Sequence, residues 1–306
     1  MFKHILIPLD GSALAEVVLP AAHYLARALG AQVTLIHILE QGASASIHGE
    51  RHLTEPKEAE GYLAEIARRT FPADIPVSRH VHAEAMESVA RGIVDHQAEL
   101  APDLILMCTH GRGGLRELLF GRIAQQVVAS GRTPVLLISP HEPRLQEPFV
   151  CRTLLAPTDG EPTHEQGLDL AFGLARSTGA HVRLLAVVPT VDKLAGRQAA
   201  SGRLMPGTTR AVLQIAEEQL VSYLRGQTVR GEALGVAVSA SVRRGDPASV
   251  IVETAANIAA DIIVLGTHGK AGAEAFWAHS LTAKVLGRTT KPLLLVPVTS
   301  APGEGR

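Results

Sequence analysis

Short apolar runs that stop at polar, glycine-containing turns alternate along this chain with segments whose apolar residues recur at helical spacing. Phe2–Pro8 is such a run. It ends in Pro8-Leu9-Asp10-Gly11-Ser12 and reads as a buried parallel strand that stops at a polar turn. Ser12 then caps a predicted helix over Ala13–Leu29, with Gly30 as its stop. Gln32–Leu39 is the next strand, and from Glu40 to Lys57 the residues turn polar and small, which predicts a mobile loop. A helix over Glu58–Thr70, a strand over Val77–His82, a helix over Met86–Leu100 and a strand over Asp103–Met107 follow. Strands alternating with helices imply right-handed crossovers and a parallel sheet covered on both faces.

The stretch Leu104–Ser139 carries more than a strand. Its apolar run ends in Cys108-Thr109-His110-Gly111, and a glycine-rich turn follows (Arg112-Gly113-Gly114). Then come a helix-like segment, Thr133-Pro134 and a second apolar run. The same order returns over Ile262–Val298. Laying Thr109-His110-Gly111 on Thr267-His268-Gly269 without a gap also lays Pro134 on Pro292. Thr153–Asp159 likewise superposes on His4–Asp10. A helix over Glu165–Ser177, a strand over His181–Val187, a small-residue loop over Val191–Thr209 and a helix over Arg210–Arg225 repeat the first order. A strand over Val236–Val242, a helix over Pro247–Ile258 and a strand over Asp261–Leu265 complete it. The chain therefore reads as duplicated α/β domains, residues 1–141 and 151–299, joined by a proline-containing linker over 142–150.

Composition narrows this picture. A chain of 306 residues has room for two cores. With 46% hydrophobic and 3% aromatic residues, those cores must be aliphatic. A net charge of −1 removes electrostatic recruitment of nucleic acid or of an anionic membrane. Runs such as Leu293–Val296 fall far short of the roughly 20 residues that a bilayer span needs. The opening MFKHILIPLDGS lacks the architecture of a signal peptide. Cys108 and Cys151 lie in different repeats, which fits a reducing compartment and predicts a cytoplasmic protein.

In an open α/β sheet, ligands sit beyond the carboxyl ends of the strands, where strand order reverses. Each copy brings three features to such an edge: an Asp after the first strand (Asp10, Asp159), an apolar residue ending the second (Ile38, Val187), and the glycine turn with the helix N-terminus behind it. A carboxylate accepts hydrogen bonds from ribose hydroxyls or a base, and backbone N–H groups with the helix dipole favour phosphate. Together they suggest a nucleotide. The alternative is that the glycines do no more than turn the chain.

These residues carry a resemblance. The whole chain resembles a tandem universal stress protein, two copies of a five-stranded, doubly wound domain of the Rossmann-like, adenine nucleotide alpha hydrolase-like type. That family's signature is Gly-x2-Gly-x9-Gly-Ser/Thr, with Pro-x-Asp near the start of the domain. The second copy has Pro157-Thr158-Asp159, Gly266-Thr267-His268-Gly269, then nine residues, then His279-Ser280. The first has Pro8-Leu9-Asp10, Cys108-Thr109-His110-Gly111, nine residues, and Gly121-Arg122. Cys108 thus replaces the first glycine, Arg122 the hydroxyl residue and His279 the third glycine.

The resemblance implies ATP, carried with Mg²⁺, in at least one half, and a regulatory or protective role under stress. Its implied binding residues are Pro8, Asp10, Ile38, Thr109, Gly111, Arg112, Gly121, Arg122 and Ile123 in the first copy. In the second they are Pro157, Asp159, Val187, Gly266, Thr267, Gly269, Lys270, Ser280 and Leu281. The second copy, with Gly266, Gly269 and Ser280 all present, is slightly the better match. The resemblance also implies antiparallel pairing of the terminal strands after Pro134 and Pro292, an intrachain pseudo-dimer that two chains can extend to a homodimer. The alternative function is a scaffold whose altered signatures hold another ligand or a partner; a slow ATPase ranks below both.

Other chemistry is thin. There is no G-x-S-x-G elbow and no G-x-x-x-x-G-K-[ST] loop. Ten of the 14 histidines fall in the first copy. His48 and His52 lie in a polar loop that reads as solvent-exposed, and His80 and His82 share a strand face that reads as surface, so no metal site is expected. Glu84 and Asp246 read as carboxylates at helix starts.

Overall fold

The computed structural model describes residues 1–43, 46–47, 50–109, 121–130, 132–141, 148–194, 204–268 and 280–298. Among these, one compact unit takes Met1–Val150 and Thr290–Pro297, and a second takes Cys151–Thr267, residues 280–289 and Val298.

In the first unit the order is β1 (His4–Pro8), α1 (Ala13–Glu16), α2 (Leu19–Leu29), β2 (Gln32–Glu40), β3 (Ser46–Ile47), β4 (Glu50–Arg51), α3 (Pro56–Thr70), β5 (Val77–Met86), α4 (Val89–Leu100), β6 (Leu104–Cys108), α5 (Arg122–Ser130) and β7 (Val135–Ile138). The sheet runs β5-β2-β1-β6-β7, all parallel, with strand order reversing between β1 and β6. Successive residues of β1, β2, β6 and β7 are buried although they point to opposite sides, so both faces of the sheet are covered. The core is aliphatic, with Ile5, Leu6, Ile7, Leu35, Ile36 and Ile105 excluded from solvent.

The second unit repeats the plan with β8 (Thr153–Pro157), α6 (Glu165–Thr178), β9 (His181–Val188), α7 (Pro206–Ala233), β10 (Val238–Arg244), α8 (Pro247–Asn257), β11 (Ile262–His268) and α9 (Leu281–Leu286), in the parallel order β10-β9-β8-β11. The last strand, β12 (Leu293–Val298), belongs up to Pro297 to the first unit, where it pairs antiparallel with β7, Leu293 opposite Leu137 and Leu295 opposite Val135, as expected for the two terminal strands. Among the described residues, no helix is long and apolar enough to cross a membrane.

Matching devices recur. Asp103 accepts hydrogen bonds from the N–H groups of Lys3 (2.7 Å) and His4 (3.0 Å), and Asp261 accepts from those of Arg152 (2.7 Å) and Thr153 (2.9 Å). Each carboxylate thereby fixes the start of the first strand of its unit. Tyr62 donates to Glu16, and Tyr223 to Glu165, tying the helix that precedes the third main strand to the first helix segment.

Several elements differ from expectation. The helix expected over Ala13–Leu29 is broken between Glu16 and Leu19, because Pro20 has no N–H to give and its ring clashes with the carbonyl four residues back. Ser12 caps the first piece by accepting from Ala15 N, and Gly30 ends the second at φ 59°. The strand expected over Val77–His82 continues to Met86, so Glu84 lies in a strand and caps nothing. Ser88 caps α4 instead, accepting from Arg91 N. Asp246 does cap α8, accepting from Ser249 N at 3.0 Å. The segment expected as a loop after Glu40 holds the hairpin β3–β4 and then packs inward, burying His52. The helix expected over Arg210–Arg225 spans Pro206–Ala233: Pro206 supplies a preorganised first turn, and Gly231 allows close packing near the other end.

Candidate functional site

The carboxyl end of β1 and the turn after it build the site. Asp10 and Gly11 form that turn, and Gly11 adopts φ +91°, a conformation in which a side chain would be strained. A Cβ there would also lie 2.8 Å from Leu53 Cγ, because the segment after β4 crosses directly over the turn. The carboxylate of Asp10 accepts from the backbone N–H of Ser12 (2.9 Å) and from its hydroxyl (2.6 Å), and Ser12 is fully buried. Asp10 is thereby fixed in direction, with its charge at the edge of the sheet.

Beside it lies a cavity of about 100 Å³. Pro8, Asp10 and Ile38 line it, with Ile123 from the first turn of α5. These four of the residues expected to bind a ligand line one cavity. Residues that the sequence reading did not assign to the pocket line it too: His37 and Glu40 of β2, His52, Val89 and Ile93 of α4, and Cys108 at the end of β6. The wall is apolar on the side of β2 and α4 and polar near Asp10. His37 is buried, with Nδ1 2.7 Å from the Leu9 carbonyl and Nε2 3.2 Å from that of Leu53, so it ties β2 to the turn and to the covering segment. Nothing in the local sequence marks His37, since both partners are backbone atoms.

The N–H of Gly121 donates to the Thr109 carbonyl at 2.7 Å, which draws the start of α5 against the end of β6. Arg122 is exposed at the first position of that helix. The sequence-predicted residues Gly111 and Arg112, with His110, lie outside the described residues, as do Gly269, Lys270 and His279 in the second copy.

The second unit shows the same turn with different occupancy. Gly160 has φ +81°, and Glu161 N donates to Asp159 at 3.1 Å. Here, however, both carboxylate oxygens of Asp159 lie 2.8 Å from Nδ1 of His164. Pro157 pairs with Leu185, and Val187 lies two residues further along β9, the same register that relates Pro8, Ile36 and Ile38. Gly266 is an extended residue inside β11: a Cβ there would stand 3.3 Å from Val298 Cγ2, and the backbone faces Gly167 of α6. No positive φ is required at that position, which is why Cys108 can occupy its counterpart in the first unit. Thr267 is buried, Ser280 caps α9 by accepting from Ala283 N at 3.1 Å, and Leu281 is exposed just behind it. Asp159 follows β8, Val187 lies on β9 and Ser280 stands at the start of α9, with Asp159 and Ser280 already engaged within the chain.

Comparison with known proteins agrees with the geometry. A sequence model described as the universal stress protein family matches residues 1–139 and again 151–297. A universal stress protein of Methanocaldococcus jannaschii is 30% identical over 145 residues, 45% of this chain and 82% of that protein. One from Mycolicibacterium smegmatis is 25% identical over 221 residues, 69% of this chain and 66% of the relative. The match to a Mycobacterium tuberculosis universal stress protein spans only 44% of that protein. Among solved structures, a universal stress protein from Archaeoglobus fulgidus shares the fold at a TM-score of 0.64 and 18% identity, covering 97% of this chain and 96% of that one.

Proposed function

Because the chain belongs to the universal stress protein family, we propose that it is a cytoplasmic tandem member that binds ATP, carried with Mg²⁺, in its first half and acts as a nucleotide-responsive regulatory or protective protein. The cavity beside Asp10 supports this reading. It stands at the point where strand order reverses, with an apolar wall for a base and a fixed carboxylate for ribose hydroxyls. Its volume of about 100 Å³ is below the roughly 300–1,000 Å³ of pockets that enclose a whole ligand. It accordingly takes the base and part of the ribose. The phosphates run out toward the N-terminus of α5, where backbone N–H groups and the guanidinium of Arg122 favour anions.

In the second half, Nδ1 of His164 already occupies the carboxylate of Asp159, 2.8 Å away. That half serves as the scaffold of the pair and binds nucleotide at best weakly.

Calorimetric titration of the intact chain with ATP and Mg²⁺ tests this. Asp10→Asn keeps an oxygen for Ser12 and removes the charge; it is expected to weaken binding at least tenfold, while Asp159→Asn leaves binding unchanged. No heat at several temperatures, or equal affinity in both variants and the parent, refutes the proposal.

A further inference from the structure

The period of a β-strand puts residues two apart on one face, and β5 at the edge of its sheet uses this to present His80 and His82 side by side. The helix that follows, α4, returns across the strand and adds His96, which is buried. The ring of His96 lies 4.4 Å from that of His80 and 5.1 Å from that of His82, centre to centre. One ring nitrogen from each of the three falls within 4.8 Å of the other two. Three imidazoles from two elements therefore converge on one point, outside the cavity at Asp10.

Two details separate this cluster from ordinary packing. Nδ1 of His96 lies 2.7 Å from a carboxylate oxygen of Glu99, one turn further along α4. A neutral ring that donates its Nδ1 proton to Glu99 has its lone pair on Nε2, aimed at the other two histidines; the same carboxylate–histidine arrangement orients metal ligands. Nε2 of His80 is buried and has no hydrogen-bond partner among the described residues, an unfavourable state for a ring nitrogen unless something else fills the position.

We infer that His80, His82 and His96 form a site for a divalent transition-metal ion, Zn²⁺ above all, with Glu99 positioning His96. Three imidazole nitrogens suit the late first-row ions and offer nothing to Mg²⁺ or Ca²⁺, which require oxygen. Zinc bonds of about 2.0–2.1 Å at tetrahedral angles place ligand nitrogens about 3.3 Å apart. His96 Nε2 and His82 Nδ1 are already 3.1 Å apart, and closing the set of three requires movements of at most about 1.5 Å, within reach of ring rotation. The ion replaces the proton shared between His82 and His96. Three protein ligands leave the fourth position for water or an added anion, the open pattern of zinc sites that do chemistry.

The site is independent of the nucleotide proposal, and the test keeps them apart. The full chain, prepared without a histidine tag and freed of metal by a chelator, is titrated with Zn²⁺ by calorimetry and with Co²⁺ followed by its visible absorption. The expected result is one ion per chain, with the intense bands of tetrahedral Co²⁺. Binding should weaken at least a hundredfold in the double variant His80→Asn/His82→Asn and about tenfold in Glu99→Gln, while remaining intact in Asp10→Asn. Both histidines of the double variant are partly exposed, and its circular dichroism, compared with that of the metal-free parent, shows that the fold is kept. Absence of binding to the parent, or equal binding to the parent and the double variant, overturns the inference.

Discussion

Two glycines of one helix give the sharpest test of how the second unit is packed. Gly226 and Gly231 both lie in α7, and an alanine at either site gains the helical preference that glycine forgoes, about 0.5–1 kcal/mol. Their surroundings are opposite. A Cβ on Gly226 meets no heavy atom of the described residues within 4 Å. On Gly231 it would stand 2.5 Å from Val238 Cγ2 and 2.9 Å from Cε1 of Phe172. Phe172 is among the largest fully buried side chains, so it has little space to retreat. Overpacking of this kind costs about 1–3 kcal/mol. Gly226→Ala is therefore expected to stabilise by up to about 1 kcal/mol. Gly231→Ala is expected to destabilise by up to about 2 kcal/mol. Because the helix preference enters both variants, their difference isolates the cost of pushing α7 away from α6 and β10. Urea unfolding followed by circular dichroism measures it as a separation of midpoints at unchanged slope. Equal midpoints, or a Gly231→Ala variant more stable than Gly226→Ala, would show that α7 does not seat closely against Phe172.

The two cysteines should differ in reactivity toward an alkylating reagent in the native state. Burial pushes the Cys151 thiol up to about 12, so it should label only after unfolding, while Cys108, at the cavity, labels first; ATP slowing the Cys108 reaction would further support the nucleotide proposal, and equal native labelling refutes the prediction. Asp246→Ala should cost about 1 kcal/mol at neutral pH through loss of the α8 cap. The hydroxyl and N–H of Ser249, and then Arg288, hold its carboxyl below the usual range, so this stabilisation is complete above about pH 4 and disappears as pH falls through the depressed native value. Thermal unfolding of parent and variant from pH 7 down to pH 2.5 checks this; a gap that does not narrow in acid refutes it.

Most of the fold was legible because its signals are local. Apolar runs such as Leu104–Met107 are buried strands, and Gly30 and Gly179 end helices at positive φ, as their positions after periodic segments predict. What was missed depends on partners distant in sequence. The segment after Glu40 looks polar and small, yet its far end is drawn in by Gly11, whose missing Cβ leaves room for Leu53, and by the contact of His37 with the Leu53 carbonyl. Pro20 was visible, but the helix periodicity around it outweighed the lost N–H, and the break at Val17–Val18 followed from the backbone instead. For α7, exposed apolar residues such as Val212 and Ile215 blurred the amphipathic pattern, and the helix ran beyond the expected limits at both ends.

The candidate site divides along the same line, and the division says which half of a sequence pattern to trust. The Asp after the first strand reads from sequence as a ligand feature, and the structure gives it a structural use in both units: the glycine beside it takes a positive φ, and the Asp accepts from the N–H two residues on. That shared use cannot distinguish a pocket from a turn. The distinction lies in what else reaches the carboxylate. At Asp159 it is His164, five residues along the same chain segment, a partner that sequence alone displays without ranking. At Asp10 the surroundings include Ile38, Cys108 and Ile123, from three elements that only the folded sheet brings together. His96 obeys the same rule. It sits one turn before Glu99 in a helix of ordinary composition, and only the return of α4 across β5 makes it the third imidazole beside His80 and His82. A duplicated motif thus locates the same sheet edge in both copies, while the side chains that arrive from other elements give each edge its own surroundings.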